Sequence, residues 1–184
     1  PRVNAGGRVG EADLGARLLT TDDPAEAARL AARLDGYNAE RRAIEQAVLD
    51  AAIAAVEHDD IGPHDPIFVA EEGWHPGVIG IVASRLKERY HRPALVVALD
   101  GAVGKGSGRS VTGIDLGNVV IAARQAGLLV NGGGHAMAAG LTVAAERVVE
   151  LRDFLASRLR PQIADVALVP SLAIDGTLQA GAVT

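Results

Sequence analysis

An α/β domain behind a helical connector is the fold class that the sequence predicts, on three observations. After residue 66, short apolar runs alternate with amphipathic stretches, the pattern of strands and helices in turn. One run, ALVVAL at 94–99, is continuously apolar, as in a strand covered on both faces. Before residue 58 the chain reads instead as alanine, leucine and charge at helical spacing. Hydrophobic residues make up 48% of the 184, enough for a core, and aromatic residues only 3%, so that core is built from Ala, Val, Leu and Ile.

Taken in order, residues 1–21 are rich in Gly, Arg and small side chains and should form an irregular lead-in with at most a short helix near 12–19. Asp23-Pro24-Ala25-Glu26 is a helix entrance: an N-cap carboxylate, a proline where its missing N–H costs nothing, and a glutamate at the third position. That helix is expected to reach Asp35 and stop at Gly36. A second, over 38–57, puts Ile44, Val48, Ala51 and Ala55 on one stripe and Arg41, Arg42, Glu45 and Asp50 away from it. Residues 58–66, with Pro63, Pro66, Gly62 and several charges, are the best domain boundary.

Beyond the boundary we expect a strand at 67–70, a helix at 76–90, the buried strand at 94–99 and a glycine-loosened strand at 103–110. A helix at 115–126 follows, capped by Asp115 and closed by Gly127. Residues 128–130 should return to strand, then come a glycine-rich loop, a strand at 138–143 and a helix at 145–159. The alternation at 172–178 looks like the first strand of something the chain does not finish. The expected divisions are therefore 1–60, 61–161 and 162–184.

The bulk numbers narrow function only a little. No cysteine is present, which excludes disulfides and thiolate metal sites. No apolar run approaches the ~20 residues of a membrane helix, and there is neither a signal segment nor a methionine at position 1, so a soluble intracellular fragment with a cut start is expected. The formal charge of −5 argues against phosphate binding by the chain as a whole. A few arginines converging on one groove can still bind phosphate on an acidic protein.

Three segments could carry chemistry. Gly104-Lys105-Gly106-Ser107-Gly108-Arg109-Ser110 is either a bulged strand or hairpin, or an anion site in which glycines admit backbone N–H groups and Arg109 grips phosphate oxygens in a two-pronged contact. It lacks P-loop spacing. Asn131-Gly132-Gly133-Gly134-His135 spends three successive glycines, more chain entropy than a turn needs, and ends in a histidine that either bonds locally or meets a phosphate or base. Gly73-Trp74-His75-Pro76 followed by Gly77, Gly80 and Ala83 suits close helix packing, or a helix N-terminus with an aromatic face for a nucleotide. His58, Asp59, Asp60, His64 and Asp65 could ligate a metal, but a solvated loop explains them better. No self-contained catalytic constellation can be argued from spacing.

The runs GWHPGVIGIVASRL, GSGRS and GGGHAMAAGL, in this order, resemble the RecJ family of single-strand-specific exonucleases and, more loosely, the DHH-associated domain shared with oligoribonucleases, cyclic-dinucleotide phosphodiesterases and alanyl-tRNA synthetases. The start, PRVNAGGR, resembles the segment by which that family leaves its first domain. The resemblance implies a DHH-associated domain with a mixed sheet flanked by helices over 61–161, an interdomain connector over 1–60, and the start of a truncated OB-like domain over 162–184. It further implies a cytoplasmic 5′-to-3′ exonuclease of DNA repair and recombination that uses Mn²⁺ or Mg²⁺. The metal ligands belong to a DHH domain that has no counterpart here, so no metal or other cofactor is expected in this chain and it should be inactive alone. Its partner would be single-stranded DNA with a 5′ end. The chain is expected to be monomeric, away from membranes, with a single-strand-binding protein or a helicase as candidate protein partners.

Carried over by motif, the resemblance implies that Ser107, Gly108, Arg109 and Ser110 hold phosphate and that Gly133, Gly134 and His135 line the nucleotide site near the scissile phosphate. Asn4 and Arg8 would lie close to the metal cleft, and His75 would have a supporting role. Two other readings stay open: a DHH-family phosphodiesterase acting on short RNA or cyclic dinucleotides, and a stand-alone nucleotide-binding module.

Overall fold

Two short helices and one long one form the first part of the chain. In the computed structural model, which describes residues 2–59, 61–166, 176–177 and 181, α1 (Gly6–Val9) and α2 (Leu14–Thr20) lie against α3 (Pro24–His58). Leu14, Leu30 and Leu34 make a small core at that junction. Asp23 caps α3 as expected, its Oδ1 accepting the Ala25 amide at 2.9 Å. Glu26 turns the other way: it accepts from Thr21 Oγ1 and from Arg17, each at 2.9 Å, and so clips α2 to α3. The Arg17 contact holds its carboxyl below the usual carboxylate range.

Two expectations for this region are corrected. Gly36 ends nothing, because α3 is one helix of 35 residues. An exposed interior glycine costs about 1 kcal/mol relative to alanine, too little to break a helix held by buried Leu34 and Asn38 on either side. The buried stripe is Val48, Ala52 and Val56, leaving Ala51 exposed. Arg41, expected outside, is buried, where it bonds Asn38 Oδ1 at 3.2 Å and pairs with Glu45. With alanine on nearly every side of this helix, the apolar stripe has little contrast in sequence.

The sheet has β1 (Ile67–Glu72), β2 (Ala94–Asp100), β3 (Val103–Arg109), β4 (Asn131–His135) and β5 (Ala138–Ala144), in the order β1-β2-β3-β5-β4. Only β1 and β2 run parallel, joined by α4 (Ile79–Tyr90). This is the mixed sheet flanked by helices that the family resemblance implies. α4 and the second half of α3 cover one face, where Val48, Ala52, Val82 and Leu86 pack on Ile67, Val69, Ala94 and Val96. α5 (Leu116–Gln125) and α6 (Val148–Asp165) cover the other, over Phe68, Leu95, Val97, Leu141 and Val143. ALVVAL is thus buried from both sides. Asp115 caps α5 by accepting the Asn118 amide at 3.0 Å, and Gly127 follows it at φ 74°, both as expected.

Four further expectations change. Residues 128–130 are not a strand; Leu128 and Leu129 enter the core from a loop. The supposed glycine-rich loop is β4, paired residue by residue with β5. α4 starts at Ile79 after a turn at 76–78. α6 passes through Pro161 because its stripe of Leu151, Leu155, Leu159 and Ile163 continues into the core beyond it. The strand expected at 172–178 lies outside the described residues, apart from Gly176 and Thr177, which carry no strand.

The boundary loop is tied down rather than open. Arg92 donates to the carbonyls of Gly62 and Asp65 at 2.8 and 3.1 Å. Arg160 donates to the Asp65 carboxylate and pulls it below the usual carboxylate range. Among the described residues, no group of three or more His, Cys, Asp or Glu could hold a metal ion, and none of the helices is long and apolar enough to cross a membrane.

Candidate functional site

Directly opposed residues of antiparallel strands point to the same face of a sheet. Across β3, β5 and β4 the register therefore lays out three rows on one face: Lys105, Thr142, Asn131; Ser107, Gly140, Gly133; and Arg109, Ala138, His135. The two glycine-rich segments, far apart in sequence, are adjacent here. α3 and α4 cover this face over β1, β2 and part of β3. Over β5 and β4 it is open: Gly140 is exposed, and a Cβ at Gly133 or Gly140 would meet nothing within 4 Å.

The glycines of β3 serve the opposite face. A Cβ at Gly104 would come within 2.8 Å of Val97, and one at Gly108 within 2.7 Å of Leu116. They let a strand with no apolar side chains on that face sit directly under the aliphatic core. The β3 backbone pairs along its whole length with β2 and β5, so it offers no cradle of free N–H groups; that part of the anion-site expectation is corrected.

Arg109 lies half-buried beside α4, its Nη1 donating to Ser107 Oγ at 3.0 Å and to Gly108 O at 2.8 Å. Gly80 makes room for this pair, since a Cβ there would stand 3.1 Å from both Arg109 Nη2 and Ser107 Oγ. Arg8 reaches the same place from α1, donating to Gly77 O at 3.1 Å. A Cβ at Gly77 would strike the Arg8 carbonyl, so α1 docks directly on the loop before α4. Together these residues border a groove of about 430 Å³ that includes Arg8, Lys105, Ser107, Arg109 and Gly140. No carboxylate lines it. Among the described residues, Arg8, Lys105 and Arg109 have no acidic partner, whereas Arg17, Arg33, Arg41, Arg89, Arg147 and Arg160 are all ion-paired.

The remaining candidates divide. Gly133 and His135 join Ser107, Arg109 and Arg8 on the face or its rim. Gly108 and Gly134 point to the opposite side, where Gly134 and His135 pack backbone to backbone against Gly117 of α5. Ser110 is corrected to a structural role: it is 1% exposed and its Oγ donates to Ile114 O at 2.9 Å. His75 Nδ1 accepts the Gly77 amide at 3.0 Å, which shapes the loop, and the ring borders a neighbouring hollow with Trp74 and Lys105. Asn4 is exposed in the turn before α1 and does not line the groove. Sequence reasoning did not single out Lys105, Gly140 and Thr142 as site residues. The period of two along β3 points to Lys105, but Gly140 and Thr142 emerge only from strand register.

A family model, the DHHA1 domain, matches residues 64–160. The chain is 44% identical over 170 residues to the single-stranded-DNA-specific exonuclease RecJ of Bacillus subtilis, covering 91% of this chain and 21% of that protein. It is 40% identical over 151 residues to the Escherichia coli RecJ, covering 78% and 26%. Among solved structures, RecJ of Thermus thermophilus in complex with Mg²⁺ superimposes with a TM-score of 0.74 at 36% identity, over 90% of this chain and 25% of that one. An exonuclease RecJ bound to manganese gives 0.76 at 34%, over 91% and 42%. The chain spans roughly a fifth to a third of the length of the curated relatives it matches.

Proposed function

The chain belongs to the DHHA1 domain family, and on that premise we propose that it is the substrate clamp of a RecJ-type exonuclease that digests single-stranded DNA from the 5′ end in repair and recombination. The observation that carries this reading is the cationic groove free of carboxylates on a chain of net charge −5. The carboxylates nearest to it, Glu72 and Asp100, line the neighbouring hollow and not the groove, so the local field, not the sum, meets the substrate.

The geometry suits a terminal phosphate. Arg109 spends Nη1 on the protein and keeps Nη2 and Nε for phosphate oxygens. Ser107 Oγ accepts from Arg109, which leaves its own proton to donate to the same phosphate. Gly133 and Gly140, lacking Cβ atoms, let a sugar–phosphate chain lie close to the sheet, and His135 closes the row as a further donor. The described residues do not fit the Mg²⁺ or Mn²⁺ of the RecJ structures, so no cleavage step is assigned to them. The metals would be held by a DHH domain outside this chain, and this chain by itself would bind DNA without cutting it.

Binding of a 5′-phosphorylated single-stranded oligonucleotide, followed by fluorescence anisotropy, tests the clamp. Arg109→Ala removes a charge-assisted contact and should weaken binding about tenfold or more while flattening the salt dependence. Unchanged affinity would overturn the role given to Arg109.

A further inference from the structure

We propose that a second phosphate-binding position, built from Arg124, Asn131 and Thr142, takes a following internucleotide phosphate of the same single strand. This rests on the clamp reading and extends it along the sheet.

Three observations carry it. The row Lys105, Thr142, Asn131 lies next to the row Ser107, Gly140, Gly133 on the same face, and Thr142 and Asn131, two residues along and one and two strands across from Ser107, stand roughly 8–12 Å from it. That step is comparable to one to two nucleotides of an extended strand. Next, a hollow of about 380 Å³ opens at the β4 edge, lined by Arg124, Asn131, Gly133, Gly140 and Thr142, and it shares Gly140, Leu141 and Thr142 with the groove. The two are one continuous surface. Arg124 rises from α5, on the opposite layer, yet borders this hollow at the free edge of β4.

The chemistry is that of a phosphate, not a cation or an apolar group. No carboxylate lines the hollow, and Arg124 has no acidic partner among the described residues. Asn131 Oδ1 already accepts the Gly132 amide at 2.8 Å, so its side chain presents N–H donors outward. With a hydroxyl from Thr142 and the guanidinium of Arg124, the position is made of donors and positive charge. Gly133 and Gly140 keep the floor between the two phosphates free of side chains.

The test compares thymidine 5′-monophosphate with a 5′-phosphorylated oligothymidylate of about eight nucleotides, using wild type, Arg124→Ala and Arg158→Ala. Arg158 is exposed on α6, behind the other face of the sheet, and controls for the loss of one charge. Arg124→Ala should bind the oligomer roughly tenfold more weakly and lose about 0.7 from the salt slope, with Arg158→Ala near wild type and all three alike toward the monophosphate. If Arg124→Ala and Arg158→Ala bind the oligomer equally, the second position is overturned. If wild type binds neither probe, the clamp reading itself falls.

Discussion

β2 and β3 are neighbours in one sheet, seven residues each, and are built on opposite plans. β2 is aliphatic on both sides, with helices packed against both faces. β3 alternates glycine on the core side with Val103, Lys105, Ser107 and Arg109 on the other, where cover thins out toward β5 and β4. A strand under helices on both faces is held by burial and has nothing left to offer a ligand. A strand with one face open still needs an anchor. Glycine supplies it by letting the core side chains of β2, β5 and α5 close over the β3 backbone while the exposed face is kept for charge. Stability and recognition are thereby assigned to the two sides of the same strand.

Substitutions can break that division. Leu95→Ala, in the doubly covered strand, should have the largest effect, about 2–5 kcal/mol from lost burial and a residual cavity, read by denaturant unfolding. Gly117→Ala should come next. Its Cβ would sit 2.8 Å from the His135 carbonyl and 2.9 Å from Gly134, both main chain, so β4 must shift. A cost of about 1–3 kcal/mol is expected, together with weaker oligonucleotide binding because β4 carries half of the open face. Gly140→Ala sharpens the comparison with the smallest change. With nothing within 4 Å of the added Cβ, stability should stay level or rise by about 0.5 kcal/mol, while binding of 5′-phosphorylated oligothymidylate falls a few-fold. A loss of stability there, with binding intact, would mean that the open face is packed and not a binding surface.

Much of the scaffold was legible. The cap residues Asp23 and Asp115, the stop at Gly127 and the strand ALVVAL each act through a local mechanism that reads directly from residue type. β4 was not, because three consecutive glycines have no side-chain period and identify a strand only once β5 lies alongside. Nor was the inward face of α3, where alanines hide the stripe and Arg41 is buried through its pairing with Glu45 and its bond to Asn38. Pro161 pointed to a helix end that the buried Ile163 overrides.

By itself the sequence determined the class of fold, the aliphatic core, the family resemblance and the residue types able to hold an anion: Ser107, Arg109 and His135. Tertiary structure decided which of the neighbouring residues can act with them. Gly108 and Ser110 stand beside Arg109 in sequence yet face the core, whereas Gly140, Thr142, Arg8 and Arg124 come to the face from other elements. The physical reason is the pleat. Successive side chains of a strand alternate between faces, so sequence neighbours separate, and only register across strands shows which distant residues share a surface.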